Sequence, residues 1–198
     1  MMERQLLAFL FLAYLGAAFV WPSVRVWRRT GVNPYVLPSG DDAHGFVTSG
    51  FRLVLLALAA YVLAQAFWAD ADRLLGVLPW LAHPLVAAAG WAGLSASLAW
   101  TVAAQYQMGM SWRIGLDRKN RTELVTGGVF AWSRNPVFLG MRFSLLSLVL
   151  LRPNAVTVAA ALAADVFIQF QVRLEEEFLA KQHGAAYADY MRTTRRWL

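Results

Sequence analysis

The sequence predicts an all-α integral membrane protein with five transmembrane helices, and three observations lead to this prediction. Hydrophobic residues make up 59% of the 198 residues and charged residues only 15%, whereas soluble domains are typically about 45–50% apolar and about 25% charged. Five apolar stretches approach or exceed the length needed to cross about 30 Å of hydrocarbon. Lys and Arg are also distributed unevenly among the segments that join these stretches, which is typical of membrane proteins.

The predicted spans cover about 5–21, 47–68, 80–104, 137–151 and 154–172. The first could be mistaken for a signal peptide, because Arg4 precedes an apolar run. No convincing small-residue cleavage site follows this run, and Trp21-Pro22 and three arginines come next. We therefore expect the first stretch to be a retained span.

The fourth and fifth spans are separated only by Arg152-Pro153-Asn154. This spacing predicts a tight helical hairpin in which Asn154 caps the fifth helix. The fourth span is short and carries Arg142. The sequence predicts one membrane domain over 1–198, with C-terminal helices in a cytoplasmic tail over 173–198.

The positive charges indicate an orientation. With five spans, one side of the membrane receives Arg4, Arg73 and Arg152, which are 3 of the 18 Lys and Arg residues, and the other side receives 15. Because Lys and Arg accumulate in cytoplasmic segments, we expect the N-terminus outside and the C-terminus in the cytoplasm. The expected location is a bacterial or archaeal inner membrane, or the endoplasmic reticulum.

The composition also limits the possible chemistry. There is no Cys, which excludes disulfides and thiolate chemistry. The three His residues lack the spacing of metal ligands, so we expect no metal site. The net charge of +6 is explained by cytoplasmic loops rather than by a nucleic-acid partner.

A polar elbow precedes the fourth span. Gly127 and Gly128 allow positive φ or a close approach by another group. In Ser133-Arg134-Asn135-Pro136, Asn135 suits an N-cap and Pro136 suits the first helical position. This segment is either a simple capped helix start or an anion-attracting helix N-terminus strengthened by Arg134.

Three consecutive carboxylates, Glu175 to Glu177, follow the fifth span. They form either a solvated helical face or a cluster in which at least one side chain faces the bundle, since neighbours on a helix point about 100° apart. An inward carboxylate at the membrane boundary needs a partner, such as a cationic or polyhydroxylated ligand.

The C-terminal segment follows Gly184, which is expected to end this helix. Tyr187 and Tyr190 share a helical face, and three arginines follow. The segment is either an amphipathic helix on anionic lipid or an aromatic and basic wall that closes a cytoplasmic pocket.

Two further groups have open interpretations. Gly109–Gly115 is either a plain turn or a third wall of the same pocket. Asp165 and Gln169 lie inside the fifth span and share a face. An intramembrane carboxylate is a functional candidate, although a structural pair between Asp165 and Arg142 is slightly preferred.

Taken together, these motifs resemble a known family. They are Leu124-Val125-Thr126-Gly127-Gly128, Arg134-Asn135-Pro136-Val137-Phe138-Leu139-Gly140, and Glu175-Glu176 with Leu179, Gly184, Tyr187 and Tyr190. Their order and spacing over the C-terminal half resemble the isoprenylcysteine carboxyl methyltransferases, which are integral membrane enzymes, and the related phospholipid N-methyltransferases. The prenylcysteine enzymes commonly have His where this chain has Asn135, whereas the phospholipid enzymes often have Asn. This departure weighs against a prenylcysteine substrate.

The resemblance implies methyl transfer from S-adenosylmethionine, with S-adenosylhomocysteine as the product, to a lipophilic small molecule or lipid that enters from the bilayer. The residues it implies for the cofactor site are Val125, Gly128, Arg134, Asn135, Pro136, Leu139, Gly140, Glu175, Glu176, Tyr187 and Tyr190. Arg134, Arg142 and Glu176 are the catalytic candidates.

These residue types suit methyl transfer, because this reaction depends more on the alignment of donor and acceptor than on proton transfer. A carboxylate acceptor would need an arginine to orient it, and an amine acceptor would need a base such as Glu or Asp. Two alternatives are an NADPH-dependent membrane reductase of the sterol-reductase type and a non-enzymatic membrane subunit.

Overall fold

The structure is a computed structural model, and it describes residues 2–36, 42–68, 75–115, 117, 120 and 122–198. Within these ranges the chain is mainly helical. The α-helices are α1 (Met2–Leu15), α2 (Trp21–Thr30), α3 (Ala43–Phe67), α4 (Pro84–Met108), α5 (Pro136–Leu151), α6 (Ala155–His183) and α7 (Ala185–Thr193). Two short strands, β1 (Tyr35–Val36) and β2 (Ile114–Gly115), pair in parallel. Arg73, which entered the charge count, lies outside the described residues.

Four described helical segments are long and apolar enough to cross a membrane: Met2–Thr30, Ala43–Phe67, Pro84–Ser111 and Ala155–His183. Together with large exposed apolar side chains along these helices, they indicate an integral membrane protein. The predicted fourth span is the exception. α5 has 16 residues, or about 24 Å of helix, which is less than the usual thickness of the hydrocarbon.

The first helix is longer than predicted. A π-helical segment, Gly16–Val20, joins α1 to α2, so the chain stays helical to Thr30 where the sequence predicted a loop from residue 22. Pro22 lies in the first turn of α2, where proline is tolerated. Because Pro22 has no N–H to donate to the Ala18 carbonyl four residues earlier, that carbonyl accepts a hydrogen bond from Nε2 of Gln105 on α4.

Close packing of α4 against α5 depends on small residues. A Cβ added at Gly140 would lie 2.1 Å from Oγ1 of Thr101, and one added at Gly93 would lie 2.6 Å from Oγ of Ser147. Small residues allow helix backbones to approach closely where hydrocarbon offers little hydrophobic drive for association. α4 therefore supports the position of α5 along its length.

α6 begins at the predicted cap. The Asn154 side chain accepts a hydrogen bond from the Thr157 amide at 3.0 Å and donates one to the Tyr61 hydroxyl on α3 at 2.7 Å. Nearer the start of α3, Gly50 lies against the Phe167 ring of α6. α3 and α6 are therefore antiparallel neighbours.

The C-terminal part also differs from the prediction. The apolar part of α6 ends at Val172 as expected, but the helix continues through the polar run to His183. The expected cytoplasmic tail therefore starts as a continuation of the same helix, and α7 follows after a turn. Gly184, with φ of 55°, forms the C-cap as predicted.

Candidate functional site

A cavity of about 630 Å³ lies between the first helix, α3, α5 and α6. Arg134, Asn135 and Glu175 line its polar end, and Leu58 and Leu148 line its apolar end. Asn135 and Leu148 are thirteen positions apart in sequence, or about 20 Å along helical geometry. The cavity therefore joins a polar site to a long apolar chamber.

The elbow before α5 forms one wall of the polar end. Asn135 occupies the predicted N-cap position of α5 and Pro136 the first helical position. The Asn135 side chain does not cap the helix. Its Nδ2 instead donates a hydrogen bond to Oε1 of Glu176 at 3.0 Å, because Glu176 on α6 is directly beside it.

Glu176 is the centre of a buried ionic cluster. Nε and Nη2 of Arg134 donate to its Oε1 at 3.2 and 3.1 Å. Nε and Nη2 of Arg196 donate to its Oε2 at 3.0 and 2.7 Å. Burial opposes ionisation of Glu176, but the hydrogen bonds from Arg196 and Asn135 and the charges of both arginines outweigh it, so the pKa of Glu176 lies below its usual value. The pKa of Arg196 is correspondingly raised, chiefly by its hydrogen bond to Glu176.

The residues after α7 form a strap, Thr194 to Arg196, across the elbow. The Arg134 amide donates to the Arg195 carbonyl at 2.9 Å, and Nη1 of Arg134 donates to the Thr194 carbonyl at 2.6 Å. Oγ of Ser133 donates to the Arg196 carbonyl at 3.1 Å. The basic C-terminus is thus attached to the elbow, which agrees with the pocket-wall interpretation.

Glu175 has a different environment from Glu176. It lines the cavity, is half-buried, and has no hydrogen-bond or ion-pair partner among the described residues. It lies in the polar run beyond the apolar part of α6. Burial and the neighbouring charge of Glu176 raise the pKa of Glu175 to about 7. An unpaired carboxylate in such a place is costly to ionise without a ligand.

Tyr187 and Tyr190 are buried behind the elbow, with ring centroids 6.0 Å apart. The Tyr190 hydroxyl donates to the Phe130 carbonyl at 2.5 Å, and burial raises the pKa of Tyr190 to about 12. Burial and the charge of Glu176 also raise the pKa of Tyr187. Both tyrosines therefore act as neutral packing groups, and Tyr190 also lines the cavity.

The segment after α4 forms a further wall, which resolves the interpretation that the sequence left open. Ser111 to Gly115 line the cavity. Trp112 is buried, and its Nε1 donates to Oγ of Ser23 at 3.2 Å. Nε of Arg113 donates to the buried Asp117 carboxylate at 3.0 Å, so these two opposite charges neutralise each other.

The structure brings some predicted site residues to the cavity and not others. Those that line it are Val125, Arg134, Asn135, Pro136, Glu175 and Tyr190. Those that do not are Gly128, Leu139, Gly140, Arg142, Glu176 and Tyr187. Gly140 faces α4 instead, because a Cβ there would overlap Thr101.

Arg142 was a catalytic candidate, but it is engaged away from the cavity. Its Nε donates to the Asp165 carboxylate at 2.5 Å, and its guanidinium lies 4.5 Å from the Trp197 ring centroid. The slightly preferred structural pair of Arg142 and Asp165 is therefore confirmed. Gln169 accepts a hydrogen bond from Nη1 of Arg173.

Sequence reasoning missed charged side chains that line the cavity, among them Arg52, Asp117 and Glu123. Arg52, on α3, lines the cavity, but it entered the sequence analysis only as a charge near the end of a span. A charged residue within an apolar stretch is a signal of function by default, and that signal was available from the sequence.

Comparison with known proteins gives one match. The family model described as phospholipid methyltransferase matches residues 85–186, just over half of the chain. The matched region includes nearly all of α4 and the whole of α5 and α6, and α1 to α3 lie outside it. No curated protein and no solved structure matches the chain. None of these findings favours the reductase or the non-enzymatic alternative.

Proposed function

Because the chain belongs to the phospholipid methyltransferase family, we propose that it transfers a methyl group from S-adenosylmethionine to the amine of a lipophilic acceptor. S-adenosylhomocysteine is the second product. The observation that carries this proposal is one cavity in which an unpaired carboxylate, Glu175, is continuous with a long apolar chamber. Such a cavity can take a polar methyl donor at one end and a lipid chain at the other.

The polar end has groups that suit S-adenosylmethionine. This molecule carries a sulfonium, an ammonium, a carboxylate and ribose hydroxyls. Glu175 offers an anionic acceptor for an amino or hydroxyl group, and Phe130 and Phe178 offer apolar surface for an aromatic ring. When bound, the molecule would supply a methyl group from its positively charged sulfur. The acceptor atom would take this methyl group, and the electron pair of the broken carbon–sulfur bond would stay on the sulfur.

The charges around the cavity favour an amine over a carboxylate as the acceptor. A carboxylate would need a free arginine at the polar end of the cavity to orient it. Arg134 there is neutralised by Glu176, Arg142 lies outside the cavity, and Arg52 lines the cavity further along α3, away from the polar end. An amine must lose a proton, and Glu175, with a pKa of about 7, is suited to accept it at neutral pH. We therefore assign proton acceptance to Glu175.

Arg134, Asn135 and Glu176 are assigned a positioning role. Their hydrogen bonds link the elbow, α6 and the strap, which together surround the polar end. Methyl transfer depends on alignment of donor and acceptor, so a rigid wall contributes directly to the rate. In this assignment Glu176 stabilises the wall of the polar end, and Glu175 contacts the ligands.

We also propose that the chain is a single membrane domain that crosses the bilayer five times. α5 is short, but it lies beside α6, and the charge count with 15 of 18 Lys and Arg on one side supports five crossings. In this arrangement the polar end of the cavity faces the cytoplasm, where S-adenosylmethionine is available, and the acceptor comes from the membrane.

Calorimetric titration of the detergent-purified protein tests the donor. We expect S-adenosylhomocysteine to bind and NADPH not to bind. Absence of S-adenosylhomocysteine binding at millimolar concentration would contradict the methyltransferase assignment, and binding of NADPH alone would favour a reductase.

A further inference from the structure

Arg52 is distinctive among the cavity arginines because no described residue neutralises its charge. Arg113 is paired with Asp117 and Arg134 with Glu176. Arg52 lines the same cavity, yet it has no ion-pair or hydrogen-bond partner among the described residues. It lies within α3, whose surroundings are otherwise strongly apolar. A charge in such a segment is costly unless it meets a partner or reaches the interface.

The position of Arg52 relative to Glu175 follows from helix geometry. Gly50 is level with Phe167 on the antiparallel α6. Glu175 lies eight residues further along α6, about 12 Å towards the polar end, and Arg52 lies two residues, about 3 Å, in the opposite direction. Their backbones are thus about 15 Å apart along the axis, and the long arginine side chain can extend towards the polar end.

Arg52 also marks an opening of the cavity. Arg52 and Val20 both line the cavity and are exposed. The first helix and α3 pack together nearer the apolar end, where Leu7 and Leu58 belong to one buried cluster. Val20 and Arg52 thus lie at exposed parts of the cavity lining, beyond this packed end.

We propose that Arg52 binds the phosphate of a phospholipid acceptor and is a specificity-determining residue of this site. The acceptor enters between the first helix and α3, with its amine towards Glu175 and its chains in the apolar chamber. A guanidinium matches phosphate oxygens with two parallel hydrogen bonds. The proposal rests on the proposed methyl transfer and adds to it the residue that recognises the phosphate of the acceptor.

Arg52 lies outside the part of the chain that the family model matches, which supports separate residues for donor binding and for acceptor recognition. Glu175 and the elbow belong to the region that the family model matches, whereas Arg52 lies in α3, before residue 85. The donor end and the acceptor end of the cavity are thus built by different parts of the chain. Substitution of Arg52 should change acceptor use without changing donor binding.

The experiment compares two lipid probes that differ in phosphate. One is dioleoylphosphatidylethanolamine, and the other is a dioleoylglycerol-derived primary amine without phosphate. Binding to the intact protein in detergent is measured by native mass spectrometry, and methyl transfer is measured with radiolabelled S-adenosylmethionine. The variants are Arg52→Gln, Arg52→Lys and, as a control, Arg28→Gln, which changes an exposed arginine that does not line the cavity.

We expect Arg52→Gln to weaken binding of the phospholipid, and to raise its KM, by about tenfold or more, the factor that 1.4 kcal/mol provides. Binding of the phosphate-free amine and of S-adenosylhomocysteine should stay within about twofold of wild type, well below that tenfold factor. Arg52→Lys should recover part of the loss, and Arg28→Gln should match wild type.

Three results would overturn the role of Arg52: unchanged phospholipid binding in Arg52→Gln, equal loss of both lipid probes, or loss of S-adenosylhomocysteine binding. Failure of the proposed function looks different. In that case the wild-type protein methylates neither lipid, while the binding comparison still decides whether Arg52 recognises phosphate.

Discussion

Glu175 and Glu176 are consecutive residues with opposite environments. The Glu176 carboxylate accepts hydrogen bonds from Arg134, Asn135 and Arg196 and is buried. Glu175, one position earlier on the helix, lines the cavity without a partner among the described residues. The pair thus separates two tasks: one carboxylate stabilises the wall of the site, and the other is available to ligands.

This separation predicts different consequences for the two residues. Glu176→Ala should lower the free energy of unfolding by about 3 kcal/mol, because it leaves two guanidinium groups without their carboxylate. Glu175→Gln should keep at least the wild-type unfolding temperature but bind S-adenosylhomocysteine about tenfold more weakly or worse, since one charged hydrogen bond contributes about 1.5–3 kcal/mol. Thermal unfolding and calorimetry on both variants check this, and equal loss of stability in both would contradict it.

The pKa of Glu175 predicts a pH dependence. Because the pKa is raised to about 7 from a value near 4.5 in the unfolded chain, the folded protein binds more protons between these values. The ligand-free protein should therefore lose stability as the pH rises from about 5 to about 7. Glu175→Gln should remove this slope.

The affinity for S-adenosylhomocysteine should change with pH in the opposite direction to the stability. The ionised form of Glu175 is the one that holds a cationic group, so S-adenosylhomocysteine affinity should fall as the pH is lowered from 8 to 6. The Glu175→Gln variant should show a flat profile over this range. Parallel profiles for both proteins would show that another group titrates.

The strap offers a matched pair of neighbouring arginines. The Arg196 side chain binds Glu176, whereas Arg195 is exposed and contacts the elbow through its backbone carbonyl. Arg196→Gln should lower both the unfolding temperature and S-adenosylhomocysteine affinity, and Arg195→Gln should change neither. Equal effects would mean that the C-terminal charge acts through the membrane surface rather than through the elbow.

Two adjacent glycines, Gly127 and Gly128, test how far stability depends on the backbone conformation before α5. Gly128 has φ of 62°, and a Cβ there would lie 2.3 Å from Oε1 of Gln107, which accepts a hydrogen bond from the Val129 amide. Gly128→Ala should cost about 1–2 kcal/mol from the left-handed conformation alone. Gly127→Ala, in open space with φ of −94°, should be neutral or slightly stabilising. Urea unfolding in detergent measures both.

Much of the architecture was predictable because it depends on local signals. The apolar runs indicated the long helices, and Asn154 and Gly184 gave the ends of α6. The elbow and the Glu175-Glu176 pair were expected close together, and Asn135 and Glu176 are in contact. These signals lie within a few residues of the structure they specify.

Long-range pairing was not predictable in the same way. The charges of Arg134 and Glu176 were visible, but their mutual neutralisation depends on a hydrogen bond across 42 positions. The first helix continues beyond Pro22, and the Ala18 carbonyl, to which Pro22 cannot donate, accepts a hydrogen bond from Gln105 on the distant helix α4. The contact between Arg142 and Trp197 was also not predictable, because it depends on the end of the chain returning beside α5.

The most direct test of the central claim is methyl transfer by the purified protein. Wild-type protein is incubated with radiolabelled S-adenosylmethionine and dioleoylphosphatidylethanolamine, and the labelled lipid is identified by mass spectrometry. We predict label on the headgroup nitrogen in wild type and its loss in Glu175→Gln. Absence of label from the headgroup nitrogen in wild type, or undiminished transfer in Glu175→Gln, would contradict the account.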